Sequence, residues 1–327
     1  MNVTERNHYL PQFYLEAFRT GTNEPVFWVY DKRTLQSRRQ SPINTGVEKN
    51  LYNLEKVDGS IDDSIEREVF SKLDGFSVEP VRRLLPSDAR LGDKDIEKVS
   101  GFLAFMATRV PRSIQVAQEI GSAFGAYILS QLSKKPKEIK KILSELQEQG
   151  TLSKDLTVEQ IQKILASKDK HFKVIENEKI AMATSISATK EIHQQLFQMN
   201  WCLCRAPSGI EFITGDAPLV CFVLEPNGQA ILGGGYARHN AEVTLPLSSN
   251  KCLYLDHKHN QRYRAVSKKV VKEINKRTAW AAERFIIARH KSKYVDELLK
   301  WGSKSLEHPK MDRKELYRQF ENKGLFD

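Results

Sequence analysis

The sequence predicts an α+β protein with a small N-terminal β-hairpin, a central α-helical block, and a C-terminal, mostly antiparallel sheet with an inserted helix. Three observations carry that prediction. Apolar residues recur at helical spacing between Asp62 and Met199, the period switches to that of strands at Asn200, and a short aromatic strand from Val26 to Tyr30 stands ahead of the helices.

Taken in order, the segment Asn7 to Phe18 reads as a short helix opened by Pro11, where a missing N–H costs nothing, with Phe13, Ala17 and Phe18 on its apolar side. The strand Val26–Tyr30 runs through a polar turn, Asp31 to Thr34, into a second strand through Leu35, and a hairpin results. From Asp62 onward Ile65, Val69 and Leu73 repeat every fourth residue, with Asp62 and Asp63 where acidic side chains favour a helix start. Gly75 predicts an end or kink before Pro80. Residues 96–110, capped by Asp93 or Asp95, are apolar on nearly every side and predict a central helix. Further helices are expected over 114–150, broken near Ser133 to Pro136 and closed at Gly150, then over 156–166 and 174–199. The polar stretch 134–171 reads as an inserted or mobile region, or simply as a solvated helix face.

Beyond Asn200, Trp201–Arg205 and Glu211–Thr214 flank Pro207-Ser208-Gly209 and predict a hairpin. Strands at 219–223, 243–245, 252–255 and 285–287, with a helix over 270–282, complete the sheet, and the charged tail after Lys293 reads as helical. The expected divisions are 1–61, 62–199, 200–292 and 293–327, as parts of one composite domain.

Composition bounds the function. With 327 residues, 40% hydrophobic and 28% charged, the chain is long enough and apolar enough for a sizeable core. The N-terminal residues lack a basic segment followed by an apolar run, and no stretch approaches the length of a membrane span, so a cytoplasmic protein with no membrane partner is expected. All four cysteines fall between Cys202 and Cys252, on strand-like segments. Reduced, buried thiols are expected; zinc is the competing reading, since Cys202 and Cys204 would share a strand face with His239, His257 and His259 near in sequence. The net charge is +10, and residues 201–327 hold 22 basic against 14 acidic residues. That asymmetry suggests a polyanionic partner, nucleic acid first, although interspersed charge also suits an ordinary solvated surface or a protein partner. Gly233-Gly234-Gly235 forms neither a P-loop nor a dinucleotide fingerprint, and no Gly-x-Ser-x-Gly elbow is present, so no nucleotide cofactor is expected.

Several segments resemble a known family. These are Asn7-His8-Tyr9-Leu10-Pro11-Gln12-Phe13-Tyr14-Leu15, Thr108-Arg109-Val110-Pro111-Arg112, Phe212-Ile213-Thr214-Gly215-Asp216-Ala217-Pro218, Leu245-Pro246-Leu247, and Asn275 ahead of Ala281-Ala282-Glu283-Arg284-Phe285. In this order, over nearly the whole chain, they resemble the bacterial domain of unknown function family 4238. The chain departs from that pattern in having Thr214-Gly215-Asp216 where Thr-Ser-Asp is common, and Asp74 where a Glu stands on the early helix. The resemblance implies a bacterial cytoplasmic protein and supplies no reaction.

Certain polar residues could carry chemistry. His8 suits proton transfer near neutrality, or caps and bonds backbone; Gln12 lies one turn on. Arg109 falls on the apolar face of the central helix, where a permanent charge must meet a carboxylate, carbonyls or an anionic ligand, and Arg112 follows it. Glu66 and Asp74, eight residues apart, can aim two carboxylates one way and, with Asp216 at a strand end, would hold Mg²⁺; alternatively they are a salt-bridged helix surface. Asn275 faces inward, as a substrate contact or a packing amide. The resulting expectation is a nucleic-acid phosphodiesterase of defence or toxin type. In it Glu66, Asp74 and Asp216 bind metal, Arg109, Arg112, Gln12 and Asn275 bind substrate, and His8, Glu66 and Asp216 are catalytic. The rival is a non-catalytic nucleic-acid or protein-binding module, in which Asp74 or Glu66 satisfies Arg109.

Overall fold

Strand β1 (Arg6–His8) and helix α1 (Gln12–Glu16) open the chain, followed by β2 (Phe27–Asp31), β3 (Gln36–Gln40), β4 (Val47–Lys49), β5 (Leu54–Glu55) and β6 (Ile61–Asp62). The computed structural model describes residues 5–304 apart from 22–24, 57, 167–172, 226–229 and 234. Helix α1 starts directly after Pro11, as expected, and β2 and β3 form the expected antiparallel hairpin. Leu35 lies in its turn rather than in β3, with φ +57°, and the Asp31 carboxylate holds that turn by accepting from the N–H groups of Arg33 and Thr34. β1 pairs with β4, and β5 with β6, all antiparallel.

A π-helical turn, Ile65–Phe70, leads without a break into α2 (Ser71–Arg83), and α3 (Asp93–Thr108) follows. The expected end at Gly75 is not there: α2 runs through both Gly75 and Pro80. Burial of Phe70, Ser77, Pro80 and Val81 along one side outweighs the weak local propensity. Asp95 rather than Asp93 caps α3, accepting from the Gly92 N–H at 3.1 Å.

The middle of the chain is helical: α4 (Pro111–Leu132), α5 (Pro136–Glu148), α6 (Val158–Ala166), α7 (Glu178–Ser187) and α8 (Thr189–Gln198). The break before Pro136 and the stop at Gly150, where φ is +72°, are where the sequence puts them. Residues 114–184 make one compact unit, whereas the chain up to Ser113 and from Ser185 to Lys304 makes another, so α2, α3 and α8 group with the strands. Within the 114–184 unit, Ile139 and Leu143 are the buried side of α5, and Gln118 and Ser122 on α4 bind the backbone of Glu176.

Beyond Met199 come β7 (Asn200–Arg205), β8 (Thr214–Gly215), β9 (Val220–Leu224), β10 (Ala230–Leu232), β11 (Ala241–Pro246), β12 (Lys251–Asp256), β13 (Tyr263–Ala265), α9 (Lys268–Ala281), β14 (Phe285–Ala288) and α10 (Lys293–Ser303). The fold is α+β, but these strands divide between two sheets. One has the order β10-β9-β11-β12-β7-β13, antiparallel except for β13 on β7; the other is β3-β2-β14-β8. The expected β7 hairpin with residues 211–214 does not form: β7 pairs with β12 and β13, and Thr214–Gly215 crosses to pair with β14. Gly209, at φ +80°, turns the crossing connection instead. The N-terminal hairpin is likewise no separate piece, since β2 is bonded to β14 from the other end of the chain. The tail expected to be helical after Lys293 is α10 as far as Ser303, and its remainder from residue 305 lies outside the described residues. Among the described residues no helix is long and apolar enough to cross a membrane.

Candidate functional site

Arg109 ends α3 with 1% of its side chain exposed. A guanidinium cannot shed its charge, so burial is tolerable only where partners surround it. Asp74 on α2 supplies the first, bidentate, with Nη1–Oδ1 at 2.6 Å and Nη2–Oδ2 at 3.3 Å. The His8 carbonyl accepts from Nη2, and the Phe70 ring lies 4.7 Å beneath the guanidinium carbon. Tyr52 closes the cluster, donating its hydroxyl to the Arg109 carbonyl and packing on Phe70 at 4.5 Å. Glu66, in the π-helical turn, accepts the His8 backbone N–H, yet its Oε2 is buried without a hydrogen bond, as is Arg109 Nε. Burial pushes the Glu66 carboxyl up to about 7, against the pull of Arg109. His8 is half-buried, which lowers its pKa; its Nε2 stands 3.1 Å from the Ile43 carbonyl and 3.4 Å from the Gln12 amide. His8, Gln12, Glu66, Asp74 and Arg109 thus come together. The Glu66 carboxyl, raised to about 7, can take or give a proton near neutrality, while both Asp74 oxygens are held by Arg109.

Asp216 is not in this cluster. Both of its oxygens accept backbone N–H groups of the turn between α9 and β14: Glu283 to Oδ1 at 2.8 Å, and Arg284 and Phe285 to Oδ2 at 2.7 and 2.8 Å. Burial pushes its pKa up to about 6 even though the three amides favour the charged form. The same turn is gripped from the other side by Lys32, whose ammonium is buried and donates to the carbonyls of Ala279 and Ala282, the last turn of α9. Arg284 in turn reaches Asp31 at 2.9 Å. Arg112 borders this knot, 4.0 Å from Glu283. Asn275 is fully buried, and its amide bridges the Ile213 N–H and the Glu211 carbonyl, holding the crossing segment to α9. Among the described residues, no three His, Cys, Asp or Glu side chains are grouped to hold a metal ion, so Glu66, Asp74 and Asp216 do not meet.

A second feature is a groove of about 1250 Å³, lined by the end of β7, the crossing connection, the start of α9 and the turn from β14 into α10. Arg205, Lys268, Lys272, Arg289, His290 and Lys293 face it, against Glu211 and Glu297. His290 Nδ1 meets Glu211 at 3.0 Å. The other five cations form no ion pair with a described carboxylate, and Arg289 Nε is buried with no acceptor. Its two other nitrogens reach only Ser249 Oγ and the Thr20 carbonyl, each at 3.4 Å.

The segments singled out in the sequence are joined physically. Tyr14 donates its hydroxyl to the Pro246 carbonyl at 2.8 Å and lies 2.7 Å from Thr214 Oγ1, and Asn7 Oδ1 accepts the Tyr52 N–H. The profile of the family described as Protein of unknown function (DUF4238) matches residues 6–292. The chain belongs to the DUF4238 family. No curated protein and no solved structure matches it. Two residues central to this DUF4238 chain escaped the sequence reading. Tyr52 sits in an irregular loop with no periodic signal, and Lys32 reads as an ordinary turn residue because its acceptors lie 247 to 250 positions away.

Proposed function

We propose that this protein acts on nucleic acid, docking the sugar-phosphate backbone in the groove lined by Arg205, Lys268, Lys272, Arg289 and Lys293. The observation that carries the reading is a concave surface on which five cations form no ion pair with a described carboxylate, against Glu211 and Glu297 in the same lining. Phosphates attract such a surface regardless of base sequence, and Lys and Arg differ in that a guanidinium such as Arg289 can bind two phosphate oxygens at once. All five cations come from the part of the chain after residue 200, which holds most of the net positive charge. Fluorescence anisotropy with labelled single-stranded and duplex DNA and RNA tests it. Wild type binds without strong sequence preference, and Lys268→Glu with Lys272→Glu weakens every probe. Unchanged affinity in that variant excludes the groove.

Phosphodiester hydrolysis at the His8–Glu66–Arg109 cluster is the second reading, favoured by the unpartnered Glu66 Oε2 and its pKa near neutrality. In it Glu66 and Asp74 would hold Mg²⁺, which would supply Lewis-acid activation of the phosphodiester, and Arg109 would bind the phosphate. Cleavage of the same probes with and without Mg²⁺, comparing wild type, Glu66→Gln and Asp216→Ala, separates the two. Activity lost with Glu66→Gln supports hydrolysis; activity that no variant changes belongs to a contaminant, and binding alone remains.

A further inference from the structure

Strand β7 puts Cys202 and Cys204 on one face of the six-stranded sheet, with their sulfurs 3.9 Å apart. Directly opposite them on β12 are Tyr254 and Cys252, and on β13 Arg264 stands in register with Cys204. Phe212, Val266, Val271 and Ile274 cover part of this face and make its floor apolar. The remainder is open to a cavity of about 320 Å³ that reaches Cys202 and Cys204 and has His259, Arg264 and Arg277 around it. None of the four cysteines forms a disulfide among the described residues.

We propose that Cys202 and Cys204 form a binding site for a soft, thiophilic cation, copper(I). Thiolate is the donor such an ion prefers over the carboxylates of Glu242, Asp256 and Glu273 that also line the cavity, which suit harder ions. With metal–sulfur bonds of about 2.3 Å, sulfurs 3.9 Å apart meet one ion at about 115°. The pair can therefore chelate one ion as a bent two-sulfur site, which opens toward the linear arrangement of two-coordinate copper(I) as the sulfurs separate. Binding moves no electrons. Two thiols release two protons to solvent, two copper–sulfur bonds form, and the resulting bis-thiolate centre carries one negative charge that Arg264 faces. Zinc fits less well. It closes a tetrahedron of four donors, and His259, the imidazole at the cavity, is bound to Asp256, whose other oxygen accepts two backbone N–H groups.

The test is anaerobic titration of the reduced full chain with copper(I) in competition with the chelator bathocuproine disulfonate. Wild type withdraws one equivalent and shows thiolate-to-copper absorption in the ultraviolet. Cys202→Ser and Cys204→Ser each lose that equivalent, and Cys221→Ser, whose thiol lies on β9, keeps it. X-ray absorption on the wild-type complex, which needs no variant to fold, shows a sulfur first shell. A chain that withdraws no copper, a Cys221→Ser protein that fails as fully as Cys202→Ser, or a nitrogen and oxygen shell overturns the proposal.

Discussion

Glu66 and Asp216 are both carboxyls whose pKa burial raises, to about 7 and about 6, but they differ in what they touch. Asp216 has three backbone N–H groups, whereas one Glu66 oxygen has no partner. A carboxyl raised from 4.5 to about 7 on folding supports the native state at low pH and loses that support as pH climbs through the same interval. Glu66→Gln removes the titration. The variant should match wild type in urea unfolding below pH 4.5 and exceed it by on the order of 2 kcal/mol at pH 8, after allowance for partial exposure. Equal stability at both pH values would mean that Glu66 is solvated as an ordinary surface carboxylate. Asp216→Asn replaces two acceptor oxygens by one and leaves buried amides unmatched, so it should cost about 2 kcal/mol or more at pH 7.5. At this scale the sequence was partly legible. The placement of Arg109 on an apolar helix face demanded a carboxylate, carbonyls or an anionic ligand; Asp74, one of the two carboxylates named, and the His8 carbonyl are its partners. The partners of Asp216 could not be read, because they are backbone groups 67 to 69 residues further on, and backbone donors leave no mark in side-chain chemistry.

Helix α9 shows how an element depends on residues that no local pattern identifies. Its start is capped by Ser267, an ordinary signal before the helix, but its last carbonyls are satisfied by Lys32, from the turn of the N-terminal hairpin. Lys32→Met should cost about 1–3 kcal/mol by leaving those carbonyls unmatched. Because Lys32 and Asp216 grip one turn and sense each other's charge, the double variant with Asp216→Asn should lose less than the sum of the two. Strict additivity in thermal or urea unfolding would show that the two clamps act independently. Gly215 belongs to the same knot: a Cβ there would lie 2.9 Å from the Phe285 carbonyl oxygen and 3.0 Å from Ala282 Cβ. The glycine in Thr214-Gly215-Asp216 thus has a steric reason in this chain. Strand pairing was the least legible part. The Pro207-Ser208-Gly209 turn is correct as a turn, but which strand lies beside β7 is decided by burial over the whole sheet, and that choice went to β12 and β13.

Across the whole molecule, the α+β class followed from periodicity, because helical and strand spacing survive any particular pairing. The grouping of the helices did not follow from it. The helical stretch divides at Ser113 and Ser185, and α3 and α8 are packed with each other while α4 to α7 lie largely in the unit between. The charge asymmetry was visible in the composition, and the meeting of five cations in a groove required the fold, since Arg205, Lys268 and Arg289 come from β7, α9 and the turn after β14. The salt dependence of RNA or DNA affinity tests that claim most directly. Each phosphate contact contributes about 0.7 to 0.9 to the slope of log affinity against log salt. The triple variant Lys268→Glu, Lys272→Glu, Lys293→Glu should therefore bind more weakly than wild type, with a slope shallower by about 2. The same affinity and the same slope in both proteins would contradict the assignment of the groove to nucleic acid.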